Sequence, residues 1–357
     1  MFWILSIEFQ FLCQKIFKYL YADLNRLNFK VLNKKIKWGI IGLGNIAQKF
    51  VNDLLLLDTV ELEAVASRDL AKAEAFAETY HSKKFYGSYE ELLQDKFVDI
   101  VYIATPHNSH EHLTILALEH KKAVLCEKPF AINKKQVFKM IGASKKHNLF
   151  LMEALWTRFL PAIKKIKSTI ENSEIGEIKY LNADFSFNAD PSIQRIYDKE
   201  LGGGSILDIG IYPIFLAYLI LGIPDKIIAK AHFFESGADS QVSIIFDYKN
   251  AQAVLFSSFN SNSKREAKIS GTLGEIIIDS PWNEANSFSL IKGGNEEKIS
   301  IPKIGKGYAH QIVECNSCLQ KNLTESSLWS HQNSIELISL LDNVRKEINL
   351  TYAEDIL

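Results

Sequence analysis

Ile36-Lys-Trp-Gly-Ile-Ile41, followed at once by Gly42-Leu-Gly44-Asn-Ile-Ala47, decides the fold. The first six residues, rich in branched and aromatic side chains, read as a short buried strand. The next six turn the chain into a run with helical spacing, Ile46 to Leu57. In G-x-G-x-x-A the first glycine makes a tight turn and the second lets a ligand reach the backbone. The small third residue lets helix and strand pack closely. Amides at such a helix start face a pyrophosphate. The motif has meaning only between a strand and a helix, and both are present.

Strand and helix patterns continue to alternate outward from it. Glu61 to Ser67, Val98 to Ala104, Ala123 to Cys126 and Leu149 to Glu153 read as strands. Leu70 to Tyr80, Tyr89 to Gln94, Glu111 to Glu119 and Lys134 to His147 read as helices. Repeated strand–helix units predict a parallel, doubly wound sheet of Rossmann type. After Glu153 the rhythm changes. A helix, Pro161 to Glu171, leads to a strand, Gly176 to Phe187, and then to a glycine-rich helix. Strand-like runs follow at Lys226 to Phe234, Gln241 to Tyr248, Gln252 to Phe259, Glu266 to Ser270, Glu275 to Asp279 and Glu297 to Ile301. Helices Ala309 to Gln320 and Asn333 to Ile348 close the chain. The expected fold is α/β plus α+β, with an open, mostly antiparallel second sheet. The expected division is an extension at 1–34, a dinucleotide domain at 35–155 and a substrate and oligomerisation domain at 156–357.

Forty-one basic side chains against forty-two acidic ones leave a net charge of -1, so no electrostatic footprint points to nucleic acid. Four cysteines in 357 residues do not make a disulfide framework. Cys315-x-x-Cys318 stands alone in a helical stretch and lacks the other ligands of a zinc site, so no metal is expected. The two thiols read as half-buried on one helix face. Near the start, the apolar run Phe2 to Leu5 has no basic segment before it and is interrupted by Glu8, Gln10 and Gln14. Neither a secretory signal nor a membrane span is expected there, and the protein reads as cytoplasmic. Residues 1–34 are either an amphipathic appendage or the result of a start assigned too early.

The strand ends carry the candidate site. At the second, Ala66-Ser67-Arg68-Asp69 offers a hydroxyl and a guanidinium where an acidic residue would select NAD, so NADP is expected over NAD. Asp69 reads as the cap of the next helix. Thr105-Pro106 begins the loop after the third main strand, with His110 ordering it and His107 and His112 on the surface. Glu127-Lys128-Pro129 follows the next strand. In the second half, Gly202-Gly-Gly-Ser-Ile-Leu-Asp208-Ile-Gly-Ile-Tyr212-Pro213 opens the glycine-rich helix. The glycines permit a close approach, and Asp208 and Tyr212 lie four residues apart on one helix face. Taken singly, Lys128 reads as structural, Tyr212 as a core aromatic and Asp208 as a buried hydrogen-bond partner.

Together these motifs resemble the Gfo/Idh/MocA family of oxidoreductases, from about Lys35 onward. Cys126 to Ala131, Met152-Glu-Ala-Leu-Trp-Thr-Arg-Phe-Leu-Pro161, Arg195 to Leu201 and Gly202 to Pro213 resemble its NADP-dependent trans-1,2-dihydrodiol and D-xylose 1-dehydrogenase branch. The resemblance implies that Lys128 and Tyr212 form an acid–base pair and that Asp208 aligns the substrate hydroxyl. The implied cofactor contacts are Gly42, Gly44, Asn45, Ile46, Ser67, Arg68, Thr105, Pro106, His110, Glu127 and Lys128. Trp156, Phe185 and Trp282 would line the substrate pocket, and Arg158 and Arg195 would bind hydroxyls or shape its wall. After Trp282 the chain departs from the branch, with Asn283-Glu-Ala-Asn286 at the pocket rim. The implied reaction is hydride transfer between a sugar or cyclic diol and NADP. An NADPH-dependent keto-sugar reductase of anhydrofructose type is the near alternative, and a non-catalytic NADP-sensing regulator the distant one. Retention of Lys128, Asp208 and Tyr212 counts against the latter. Homodimers or larger homo-oligomers through the second sheet are expected by analogy.

Overall fold

The computed structural model describes residues 35–356; the expectations for residues 1–34, Cys13 among them, and for Leu357 lie outside it. Six strands form the first sheet: β1 (Ile36–Ile41), β2 (Val60–Ala66), β3 (Lys84–Tyr86), β4 (Ile100–Ile103), β5 (Ala123–Glu127) and β6 (Leu151–Ala154). Their spatial order is β3-β2-β1-β4-β5-β6, and every pairing is parallel. Helices α1 (Asn45–Leu54), α2 (Leu70–Tyr80), α3 (Tyr89–Gln94), α4 (His110–Glu119) and α5 (Lys134–His147) connect and cover it. With helices on both faces the strands need no polar side. Accordingly β4 and β5 are buried throughout and read as unbroken apolar runs. The ligand edge is where β1, β2, β4 and β5 end in Gly42, Ser67, Thr105 and Lys128.

The second sheet has eight strands: β7 (Ile178–Ser186), β8 (Lys226–Phe233), β9 (Asp239–Tyr248), β10 (Ala251–Ser258), β11 (Ala267–Gly271), β12 (Glu275–Ile278), β13 (Ser287–Lys292) and β14 (Asn295–Ser300). Its order is β14-β13-β12-β11-β7-β10-β9-β8. Only the β10–β7 pair is parallel. Burial alternates along β9 and β10. One face of the sheet packs on helices and the other carries exposed Ile228, Ile245 and Val254. Helices α6 (Pro161–Glu171), α7 (Ile211–Leu221), α8 (Ala309–Gln320) and α9 (His331–Glu347), with the one-turn helix Gln194–Tyr197 and other short helical turns, are the remaining helical elements among the described residues. Strands β3 and β13 are absent from the sequence expectation. The first has three residues, none fully buried, too short to show a period of two.

The glycine-rich segment joins the two halves. Ile206–Gly210 is wound as a π-helix and leads directly into α7. The whole run Lys199–Leu221 is apolar and long enough to span a bilayer, yet 78% of its most apolar window is buried inside this fold, as a core helix would be. A Cβ on Gly202 would come 2.5 Å from Ile132 Cδ1 and 2.9 Å from His107 Cβ, both in the first half of the chain. One on Gly204, where φ is +112, would strike the Asp239 carboxylate. The triple glycine therefore lets this segment approach the loops after β4 and β5 and the start of β9, rather than the cofactor cleft itself. Cys315 and Cys318 are buried on α8 and not half-buried, and Cys126 is buried too; all three are free thiols.

Asp239 secures this segment from below. Its Oδ2 accepts hydrogen bonds from Ser205 Oγ at 2.7 Å and Ile206 N at 2.8 Å. Burial lifts its carboxyl from 3.8 to about 6 despite those donors. The folded chain thus keeps a proton that the unfolded chain releases in this interval. The stabilisation is complete below about pH 4 and is lost as pH rises through about 6. Asp239→Asn keeps an acceptor and cannot ionise. It should melt roughly 3 °C above the parent at pH 8 and lose that advantage near pH 4, measured by thermal denaturation at both pH values.

Candidate active site

A cavity of about 920 Å³ runs along the C-terminal edge of the first sheet and under the second. One end is the glycine turn. Gly42 has φ +86, and a Cβ there would lie 2.8 Å from Ala104 O. A Cβ on Gly44 would meet nothing within 4 Å, because it would project into the cavity. Gly44 caps α1 without a side-chain hydrogen bond, so no cap side chain covers the first amides of α1. An open cradle of backbone donors fits a dinucleotide pyrophosphate. Asn45 and Ile46 also line it.

Beside the cradle the cavity is lined by Ser67, Arg68 and Lys72. Asp69 accepts from Lys72 N at 3.2 Å as the cap of α2 and is not among the lining residues. The acidic side chain at this strand end is therefore spent on a helix cap. Thr105 and Pro106 form the next stretch of wall. His110 does not line the cavity: it is wholly buried, with Nδ1 2.9 Å from Pro129 O and Nε2 3.0 Å from Thr105 O. It braces the loops after β4 and β5, and the direct cofactor contact expected of it is not made available. His107, expected at the surface, is buried and lines the cavity, its Nδ1 donating to Gly202 O at 2.9 Å. Burial lowers its pKa to about 3, so the ring is neutral.

The far end gathers the charged residues. Lys128 follows β5, and the Lys128–Pro129 peptide is cis. Its Nζ donates to Asp208 O at 2.6 Å and to Asp208 Oδ1 at 3.0 Å. Pro213 has no N–H and cannot supply the bond that a π turn would bring to the Asp208 carbonyl. Lys128 meets that carbonyl instead. Arg195 holds the other carboxylate oxygen at 3.2 Å. Burial alone would raise the Asp208 pKa, but Lys128 first and Arg195 second hold it well below the usual carboxylate range. For Lys128, desolvation is outweighed by Asp208 and the neighbouring Tyr212 and Glu127, and its pKa is raised. Burial lifts Glu127 to about 7; it accepts from the Tyr102 hydroxyl and from Lys128 N.

Tyr212 stands beside this pair, with Lys128 Nζ 5.1 Å from its ring centroid. Trp156 Nε1 donates to its hydroxyl oxygen at 2.9 Å. Burial pushes the phenol up to about 12, overriding the lowering effect of Lys128. The lysine is thus engaged by Asp208 and does not bring the tyrosine pKa down in this arrangement. Phe185 lies 5.3 Å from Tyr212 ring to ring, and Trp156, Phe185 and Arg195 all line the cavity.

Two expected substrate residues lie elsewhere. Arg158 is buried away from the cavity, its Nε donating to Leu328 O at 3.0 Å. Trp282 is fully buried and donates to Asp184 O at 2.7 Å. It supports the rim, and its neighbours Asn283 and Glu284 line the cavity in its place. Lys72, Arg265 and Tyr308 also line it and were not anticipated. Lys72 was findable, in the first turn of the helix that follows Arg68. Arg265 and Tyr308 sit in no motif, and only the tertiary fold brings them here. Among the described residues no cluster of His, Cys, Asp and Glu could hold a metal.

Comparison with known proteins places this geometry. Residues 36–155 match the family model described as an oxidoreductase family with an NAD-binding Rossmann fold. Residues 163–277 match the GFO/IDH/MocA C-terminal domain. Trans-1,2-dihydrobenzene-1,2-diol dehydrogenase of Xenopus tropicalis is 36% identical over 329 residues, 88% of this chain and 99% of the relative. The Mus musculus protein of the same name is 36% identical over 333 residues, 90% and 99% of the two chains. A 3-ketoreductase from Actinomadura kijaniata shares the fold with TM-score 0.81 at 24% identity, over 88% of this chain and 98% of that one. So does an aldose-aldose oxidoreductase from Caulobacter crescentus, TM-score 0.81 at 22% identity over the same shares. The chain belongs to the Gfo/Idh/MocA family of oxidoreductases and is an NAD(P)-dependent dehydrogenase.

Proposed function

We propose that the chain is an NADP-dependent dehydrogenase of a sugar or cyclic diol, with Lys128, Asp208 and Tyr212 as its catalytic residues. The observation that carries this reading is their convergence at one end of a cavity whose other end is the glycine cradle. The relatives named trans-1,2-dihydrobenzene-1,2-diol dehydrogenase favour the diol class. The walls suit a polyol: Trp156 and Phe185 offer flat apolar faces, and Arg195 and Asn283 offer hydrogen bonds.

When bound, the nicotinamide accepts or gives up the hydrogen on the carbinol carbon as hydride. The chain itself handles the proton. Tyr212 Oη receives the substrate hydroxyl proton in oxidation and returns it in reduction. Lys128 stabilises the phenolate that oxidation would require, and Asp208 keeps Lys128 charged and aligns the hydroxyl. With its pKa near 12 the phenol is protonated at neutral pH, so oxidation gains from alkaline conditions and reduction does not. That protonated phenol favours the second reading, an NADPH-dependent keto-sugar reductase on the same residues. A purely NADP-sensing role would have no use for the triad.

NADP over NAD is supported by Ser67, Arg68 and Lys72 along the wall and by the use of Asp69 as a cap. For a partner, we propose a second copy of the chain on the open face of the second sheet. Ile228 pairs with Ile245, and Ile245 with Val254, forming an exposed apolar stripe that a symmetric copy can cover. Light scattering should give at least twice the monomer mass; a monomer at micromolar concentration refutes that assembly.

A panel of D-xylose, D-glucose, myo-inositol and a trans-dihydrodiol, followed by nicotinamide absorbance with each cofactor, tests the activity. At least one substrate should turn over, faster with NADP+ than NAD+. Arg68→Ala should raise the KM for NADP+ about tenfold or more and leave that for NAD+ unchanged. Equal use of both cofactors by the parent chain contradicts the assigned specificity.

A further inference from the structure

The segment 301–308 crosses from β14 to α8 beside the site and is tied to the cofactor helix by one side chain. Asp53, on α1, is 2% exposed. Its Oδ1 accepts from Lys306 N at 2.8 Å, and its Oδ2 from Gly307 N at 2.9 Å and Ala309 N at 3.2 Å. Ala309 begins α8, and its own N-cap, Tyr308, supplies no side-chain cap. Asp53 therefore caps α8 from a different element. Gly305 and Gly307 have φ +58 and +114; a Cβ on the first would strike Asp53, and on the second would lie 2.7 Å from Leu160. The strap can be threaded only by glycine at these points.

The strap delivers Tyr308, 5% exposed, onto Trp156, with ring centroids 4.6 Å apart and planes at 25°. The same indole donates its N–H to the Tyr212 oxygen at 2.9 Å. A phenol oxygen that already accepts this bond has its own O–H free to point elsewhere, toward the cavity. The indole ring can hold that aim only if its plane is fixed, and the stacked Tyr308 ring fixes it.

We propose that Asp53 is a positioning residue for the reaction. By pinning the strap it holds Tyr308 against Trp156, and so aims the indole N–H at Tyr212. This rests on the role given to Tyr212 above. Asp53 touches neither that tyrosine nor the cavity. Its influence passes through the strap, unlike that of Lys128, Asp208, Glu127 and Tyr102, the charged and titratable groups that surround Tyr212 with Tyr308.

The test is a double-mutant cycle on kcat with NADP+ and the best substrate of the panel. Trp156→Phe keeps the stack and removes the N–H. It should lower kcat about tenfold, the worth of one hydrogen bond to the phenolate that oxidation requires. Asp53→Ala should lower kcat by a similar factor and leave the KM for NADP+ within about threefold, because the cradle lies at the other end of α1. Asp53→Asn keeps one acceptor and should recover about half of the loss on a logarithmic scale. In the Trp156→Phe background, Asp53→Ala should cost less than about twofold more. Equal effects of Asp53→Ala in both backgrounds, or a lowered melting temperature with kcat unchanged, overturn the proposal. Should Asp53→Ala fail to fold, Asp53→Asn carries the same cycle. Tyr212→Phe is run alongside: if it still turns over, the reading of Tyr212 fails, whereas an inactive Tyr212→Phe with an additive cycle refutes only the role of Asp53.

Discussion

A buried ion pair between Lys128 and Asp208 is the contact on which the site depends. The lysine ends a strand of the first sheet, and the aspartate lies in the helical segment that belongs to the second half. Their side chains are only 10% and 12% exposed. A charge so placed is costly unless paired, which makes each residue a condition for the other. The pair therefore does more than join two side chains. It sets the depth at which Ile206–Leu221 lies against the loops after β4 and β5, and with it the position of Tyr212. The other features of the segment serve that approach. Gly202 removes the side chain that would meet Ile132 and His107, and Pro213 leaves the Asp208 carbonyl for Lys128.

The electrostatics of the site follow from its dryness more than from its charges. Burial raises Tyr212 and Glu127 together, to about 12 and about 7, while Lys128 is consumed by the carboxylate of Asp208. In water a neighbouring ammonium would be expected to draw the phenol down. Here the desolvation of the phenolate is the larger effect, and the ammonium acts chiefly to keep Asp208 ionised. In the proposed reaction, a protonated tyrosine with a hydrogen-bonded oxygen is set up to give a proton, and would become a base only as pH rises or as substrate changes its surroundings.

Much of the fold was legible because each half obeys one simple period. Alternating strand and helix runs announced the parallel sheet, and the glycine motif located its ligand edge. Strands β3 and β13 were not legible, and at the ligand edge the residues that lie elsewhere than expected share a cause. His107 and Arg158 are polar residues that the sequence gives no reason to bury; their partners, Gly202 O and Leu328 O, are remote in the chain. The family resemblance implies Trp282 at the pocket wall. Its indole N–H finds Asp184 O instead and turns the ring inward. Tyr308 was invisible for the opposite reason, since it enters the cavity by way of a cap contributed by Asp53. Motifs at strand ends could be read locally. Residues placed by tertiary caps and by packing between the halves could not.

The central claim is that Lys128 and Asp208 act as one buried unit spanning the two halves, and a double-mutant cycle on stability tests it most directly. Lys128→Met and Asp208→Asn should each lower the free energy of unfolding in urea by about 2–4 kcal/mol. The double variant should lose at least ~1 kcal/mol less than the two losses together, because the second change no longer strands a partner. Strictly additive losses would contradict the account, since two residues that stabilise the protein independently are not a pair.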